Sequence, residues 1–225
     1  SEGNGSPVEF RFNGWGNKFN AAEDNLANQR YLASMCKSVL RSSPIVAEGG
    51  ALEIDEDGHL LSTAQCLLNP ERNGDMSLSA YEDAFKDMLG CSKVTILQHG
   101  HLEGDDTDGH IDTLVRFTPN KGLVIQACNN RPNDSHFEGL KALCDECALE
   151  LPEHEQFHLP LPNIVNDEGN RLPASYANYL ICNNAILLPV YGEEEDAEAI
   201  ETVKRAHLNH IVEPIDCSVL VRQYG

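Results

Sequence analysis

Three short apolar stretches that read as return strands begin at Leu60, Leu123 and Ile186, each 63 residues after the one before. A turn precedes each: Asp55-Glu56-Asp57-Gly58, Pro119-Asn120-Lys121-Gly122 and Asn183-Asn184. A strand-like run precedes each turn. A helical pattern follows each return strand, over residues 78–89, 137–149 and 197–208, and a closing strand follows each helix, over 94–97, 156–159 and 211–215. Ser77 is placed to cap the first helix, and Asp134 or Ser135 the second. A fixed period in a strand–turn–strand–helix–strand unit is the mark of a repeat architecture. It sets the fold class as α+β, with ββαβ units that ring an axis or stack.

Outside the period, residues 7–13 alternate and predict a strand, and Gly14-Trp15-Gly16 predicts a turn. A helix is predicted from Asn20 to about Leu40, using Leu26, Leu32, Met35 and Val39, with Ser42-Ser43-Pro44 ending it. Residues 45–54 read as a strand, a glycine break and a second strand, residues 175–182 as a strand, and residues 218–221 as a last one.

The densest chemistry lies in Gly104-Asp105-Asp106-Thr107-Asp108-Gly109-His110-Ile111-Asp112. The run 111–117 is short, branched and aromatic, and reads as a strand. In an extended segment residues i and i+2 share a face, so His110 and Asp112 would stand side by side. A calcium loop with Gly109 at its sixth position needs acidic first and twelfth residues. Gly104 and Val115 stand there, so the register fails. His99 and His101 lack a third metal ligand.

Sixteen basic residues against 36 acidic ones give a net charge of −20. That excludes a phosphate-binding surface of clustered Lys and Arg, and so nucleic acid as a partner. It suits a small cationic substrate or simply a solvated acidic surface. No apolar run is long enough for a membrane span. Eight scattered cysteines in a chain that is 41% hydrophobic predict free buried thiols and a reducing, cytoplasmic setting. Cys144 and Cys147 form one C-x-x-C without a second pair, short of a zinc site.

Four stretches together resemble the agmatine deiminases and bacterial peptidylarginine-deiminase-like enzymes. They are Phe12-Asn13-Gly14-Trp15-Gly16-Asn17-Lys18; Glu48-Gly49-Gly50 with Cys66-Leu67-Leu68-Asn69 and Arg72-Asn73; Asp105 through Asp112; and Ser175-Tyr176-Ala177-Asn178-Tyr179. The resemblance implies a five-bladed α/β propeller of pseudo-repeats, the pentein fold, with three to four units in this chain. It implies hydrolysis of the guanidino group of agmatine to N-carbamoylputrescine, as in putrescine biosynthesis, with no cofactor and no metal, and is compatible with a homodimer. A cysteine thiolate attacks the guanidinium carbon, ammonia leaves, and water releases the thiouronium intermediate. Carried onto this chain, Asp112 binds the guanidinium, His110 shuttles the proton and Glu48 pairs with His110. Asp106 lies near the substrate's far end or supports its loop, and Trp15 lines the substrate channel or packs. Arg72 and Asn178 are expected to be structural.

The family's other guanidinium-binding Asp belongs upstream of this chain and its nucleophilic cysteine downstream, and none of the eight cysteines matches the latter. Residues 1–225 are therefore expected to be one catalytic domain incomplete at both ends and inactive alone. A peptidyl- or free-arginine deiminase and a non-catalytic guanidinium-binding member of the fold are the alternatives.

Overall fold

A computed structural model describes residues 7–32, 35 and 40–223. The chain divides into two compact units, Ser1–Ile96 and Leu97–Gly225. No helix among the described residues is long and apolar enough to cross a membrane.

The first unit opens on β1 (Val8–Arg11) and β2 (Arg41–Val46), paired in parallel with a register shift between Glu9 and Arg11. Ser42-Ser43-Pro44 lies inside β2 rather than ending a helix. Pro44, which has no N–H, is tolerated because among the described residues this sheet has two strands, both edges. The helix expected from Asn20 is a 3₁₀ turn at Asp24–Leu26 and a π turn at Asn28–Leu32. Most of its remainder, including Val39, falls on residues 33–34 and 36–39, outside the described residues, as do residues 1–6 and 224–225.

The first repeat is β3 (Glu53–Ile54), β4 (His59–Thr63), a helix at Leu78–Leu89 and β5 (Lys93–Leu97). The hairpin forms because Asp55 Oδ1 accepts from the N–H groups of Asp57 and His59, while Gly58 takes φ +78°. Ser77 Oγ accepts from Ala80 N–H at the helix start, and Gly90 ends it at φ +71°. One face of the helix buries Tyr81 and Phe85, four apart, against Leu60, Leu67 and Val94. Each such side chain removed from water contributes about 1.5–3 kcal/mol.

In the second unit, β6 (Val115–Thr118), β7 (Gly122–Gln126), a helix at Phe137–Glu150 and β8 (Glu155–Leu159) form one repeat. Then β9 (Leu180–Cys182), β10 (Ala185–Val190), a helix at Asp196–Ala206 and β11 (Ile211–Asp216) form another. The β6–β7 turn places both Asn120 and Lys121 at positive φ, the conformation whose twist matches a two-residue hairpin. In each repeat the return strand is central, with the strand before it on one side and the closing strand on the other. The pairing is antiparallel to the first and parallel to the second in both repeats of the second unit. β4, β7 and β10 begin at His59, Gly122 and Ala185, so the 63-residue period is real. β1 and β2 pair in parallel, as the second and third strands of such a unit do.

Three predicted strands are not strands there. Ile111–Thr113 is a 3₁₀ turn and β6 starts only at Val115. Of residues 175–182 only Leu180–Cys182 is extended. Leu220–Gln223 is a 3₁₀ turn. Local polar bonds win in the first two: Thr113 Oγ1 donates to His110 O, and Ser175 Oγ accepts from Ala177 N–H.

Candidate active site

The Asp-rich loop is built by its own side chains. Asp105 Oδ1 accepts from Thr107 N–H (2.8 Å) and Thr107 Oγ1 (2.6 Å), and Asp105 Oδ2 accepts from Gly109 N–H (2.6 Å). Thr107 Oγ1 accepts from His110 N–H at 3.2 Å. Asp108 and Gly109 both have positive φ, which returns the chain on itself. Asp105 is therefore the organiser of the loop. The resemblance points to Asp106 instead, but the spacing Asp105-x-Thr107-x-Gly109 carries the signal of a carboxylate folding back on N–H groups two and four residues on. Asp106 is half-buried.

The loop is held from the segment 160–173. Gly104 has φ +87°, and a Cβ there would lie 2.5 Å from Arg171 O. Arg171 Nη1 donates to Asp134 Oδ2 (3.1 Å) and Nη2 to Pro162 O (2.8 Å). His136 Nε2 accepts from Glu103 N–H at 2.8 Å, so its Nδ1 carries the proton that reaches Asp134 Oδ1 at 2.7 Å. Burial works against the Asp134 charge. The His136 N–H, the His136 ring and Arg171 outweigh it and hold the carboxyl below the usual range.

His110 is buried, with its backbone extended (φ −55°, ψ 138°), and the chain turns into the 3₁₀ segment that carries Asp112. The two side chains do not share a strand face, since no strand exists there. They are brought into electrostatic reach by a turn instead. Ser175 Oγ donates to Thr113 O at 2.6 Å and so fixes that turn, while Gln126 Oε1 accepts from Ser175 Oγ and Tyr176 N–H. The Ser-Tyr-Ala-Asn-Tyr stretch thus braces the site. Asn178 is exposed. Burial pushes the Asp112 carboxyl up from its ordinary value; His110 and Arg116 pull it down, and Asp105 adds to the rise. Arg116 is committed elsewhere, donating to Tyr179 O (2.7 Å) and Ala177 O (3.2 Å) with its guanidinium 4.7 Å over the Tyr179 ring. Among the described residues Asp112 has no ion-pair partner.

Glu48 and Trp15 belong to the first unit. Glu48 is 7% exposed and accepts from Arg72 Nε with both oxygens, at 3.0 and 3.1 Å. Arg72 sits on a single helical turn, Pro70–Asn73, and Asn73 ties that turn to Val46 through its N–H and C=O. Glu-Gly-Gly and Arg-Asn are therefore two halves of one buried ion pair. A carboxylate oxygen of Glu48 and Cys66 Sγ lie within 4.8 Å of each other.

Gly14, Trp15, Gly16 and Asn17 all have positive φ. A Cβ at Gly14 would lie 2.1 Å from Phe19 O. Trp15 pays about 1–2 kcal/mol for its left-handed backbone. It packs edge-on between Phe12 and Phe19, with ring centroids 5.0 and 5.7 Å away. Asn13 and Asn17 both donate to Glu71 O, tying this turn to the one that carries Arg72.

Seven cysteines are described and all are free: Cys66, Cys91, Cys128, Cys144 and Cys147 are buried, Cys217 is half-buried and Cys182 is exposed. Burial pushes Cys144 up to about 11 and Cys147 up to about 12, and raises Cys91, Cys128 and Cys217. A thiol so raised is a poor nucleophile, because the thiolate is the attacking species. His99 Nδ1 lies 3.0 Å from Glu146, which also accepts from the N–H groups of Gln98 and His99.

A family model described as Porphyromonas-type peptidyl-arginine deiminase matches residues 4–225. The chain belongs to this family. A solved structure of a Porphyromonas gingivalis protein, provisionally named an arginine deiminase, is 41% identical (TM-score 0.91), covering 97% of this chain and 66% of its own. A C. jejuni agmatine deiminase, solved as a cysteine-to-serine variant with substrate bound, is 32% identical (TM-score 0.90), covering 97% of this chain and 65% of its own. A Vibrio parahaemolyticus protein provisionally named an agmatine deiminase is 33% identical over 227 residues, which is 88% of this chain and 62% of that protein. The chain thus spans about three-fifths of the length of the curated relatives it matches. A dimethylarginine dimethylaminohydrolase shares the fold at 14% identity (TM-score 0.54).

Proposed function

We propose that this family member contributes to the hydrolysis of agmatine's guanidino group. The observation that carries the reading is Asp112, a half-buried carboxylate beside His110 with no ion-pair partner among the described residues. A planar guanidinium supplies the N–H donors that such a carboxylate lacks. Relatives provisionally named as agmatine deiminases at 30–33% identity support the choice of substrate.

In the reaction the guanidinium carbon forms a bond to a cysteine sulfur and breaks its bond to nitrogen. His110 gives a proton to the departing ammonia. It then takes one from water, whose oxygen displaces the sulfur to leave N-carbamoylputrescine. Asp112 holds the guanidinium N–H groups through both steps. Glu48 keeps the role the resemblance gave it. Asp106 supports the loop or meets the far end of the substrate, and Trp15 packs. The raised thiols of Cys91, Cys128, Cys144, Cys147 and Cys217 do not serve as the nucleophile. Three ββαβ units, with β1–β2 as part of a fourth, fit a five-bladed propeller of one catalytic domain.

A second reading, a peptidyl- or free-arginine deiminase, is favoured by the 41% identity to the Porphyromonas gingivalis protein, above the 33% to the Vibrio relative. A ureido-product assay of the full-length protein on agmatine, arginine and a peptidyl-arginine separates the two. Turnover of agmatine at the highest kcat/KM is expected. Turnover confined to arginine substrates rejects the agmatine reading.

A further inference from the structure

The site described above makes no use of Glu9. It is 6% exposed, on β1, at the register shift that separates it from Arg11. Bulges of this kind re-aim a side chain and gather at functional sites. Glu9 Oε2 is satisfied: Ser42 Oγ donates to it at 3.0 Å and Gln29 Nε2 at 3.3 Å. Glu9 Oε1 is buried and has no hydrogen-bond partner. A cavity of about 440 Å³ opens against it, lined by Glu9, Arg11, Leu26 and Ser43 among others.

An unmet carboxylate oxygen in a buried setting costs about 1–3 kcal/mol or more, so it marks a place where a donor is expected. The donor is not Arg11. That guanidinium, only two residues on, lines the same cavity, yet makes no ion pair with Glu9 among the described residues. The strand irregularity keeps the two charges apart while both face one space.

The donor set narrows the ligand. One free oxygen offers single-point contact, which suits an ammonium better than a planar guanidinium that pairs through two parallel bonds. Ser43 Oγ accepts from Ile45 N–H at 3.2 Å and has a second lone pair for another ammonium proton. A divalent cation would take six or more oxygens and several negative charges, and among the described residues Glu9 is the one acid in the lining. A bare ammonium would meet the Arg11 charge. A ligand carrying a carboxylate at its other end would instead pair with it.

We infer that this cavity is a binding site for a small zwitterion such as a free α-amino acid, its ammonium on Glu9 and its carboxylate toward Arg11. The test is calorimetric titration of the full-length protein with L-alanine, using n-propylammonium and propionate as one-charge controls. Glu9→Gln keeps the shape and removes the charge. Arg11→Gln alters an exposed side chain, so it reports even where the first variant fails to fold. L-Alanine is expected to bind saturably and more tightly than either control, and to weaken at least about tenfold in each variant, the loss of one charged hydrogen bond. Absence of saturable binding, binding unchanged in either folded variant, or n-propylammonium binding as well as L-alanine overturns the inference.

Discussion

Arg72 reaches Glu48 inside the first unit, its Nε 3.0 Å from Oε1 and 3.1 Å from Oε2, with both side chains almost fully buried. Removing one member of such a pair leaves a buried charge unanswered, and costs far more than the net worth of the pair. Arg72→Ala is therefore expected to lower unfolding stability by about 3–5 kcal/mol in urea titrations. A loss below about 1 kcal/mol would mean that water reaches Glu48.

Burial of the Asp112 carboxylate costs the fold stability. Its folded pKa lies above its unfolded value because of burial. Such an acid destabilises the fold at pH above both values, and the penalty fades as pH falls through the folded value. Asp112→Asn should therefore raise Tm at pH 7, and the gain should vanish at pH 4 and below. The same variant should lose guanidine hydrolysis. A lower Tm at pH 7 would contradict this reading.

Asp134 has the opposite sign. Burial raises its pKa, but His136 and Arg171 more than offset that, so its folded pKa is depressed. Its contribution is present above the unfolded carboxylate pKa of about 3.9 and is lost as pH falls below it. The stability difference between wild type and Asp134→Asn should be constant from pH 6 to 8 and shrink below pH 4. Denaturant midpoints across that range measure it.

The Asp-rich loop depends on a glycine that a methyl group would break. At Gly104 a Cβ meets the Arg171 backbone at 2.5 Å and the backbone is left-handed. Gly104→Ala should cost about 1–3 kcal/mol. It should also slow turnover by displacing His110 through Asp105 and Thr107. Unchanged kcat with reduced stability would separate the loop from the chemistry.

Thiol accessibility checks the cysteine assignment. Among the described cysteines only Cys182 is exposed. Among the described cysteines, Cys182 should be labelled first by a disulfide reagent in the native protein at pH 8. Cys144 and Cys147, pushed up to about 11 and 12, should react only on unfolding. Rapid labelling of Cys144 would contradict their burial.

What the sequence made legible was punctuation and period. Ser77 and Gly90 bound their helix as capping chemistry requires, and Asn120-Lys121 and Asn183 turn where the pattern places turns. The 63-residue spacing survives because each return strand is the central strand of its sheet, pinned on both sides. The misses share one cause. Ser175–Tyr179 and Ile111–Thr113 are rich in strand-forming residues, but side-chain bonds among Ser175, Thr113 and Gln126 bend both segments out of extension. No propensity scale contains those tertiary partners. The same holds for the candidate site. His110 and Asp112 are visible as residue types, but the turn that brings them together has the composition of a strand. The spacing of Asp105, Thr107 and Gly109 signals a carboxylate that folds back on its own loop, and three accepted hydrogen bonds show that it does.

The most direct test of the central claim is the rate at which the full-length protein forms N-carbamoylputrescine from agmatine, for wild type, His110→Ala and Asp112→Asn. Wild type is expected to turn agmatine over, and kcat/KM to fall about a hundredfold or more in each variant, the scale of losing a general acid–base or a positioned charge. No product from wild type, or product at the wild-type rate from Asp112→Asn, would contradict it.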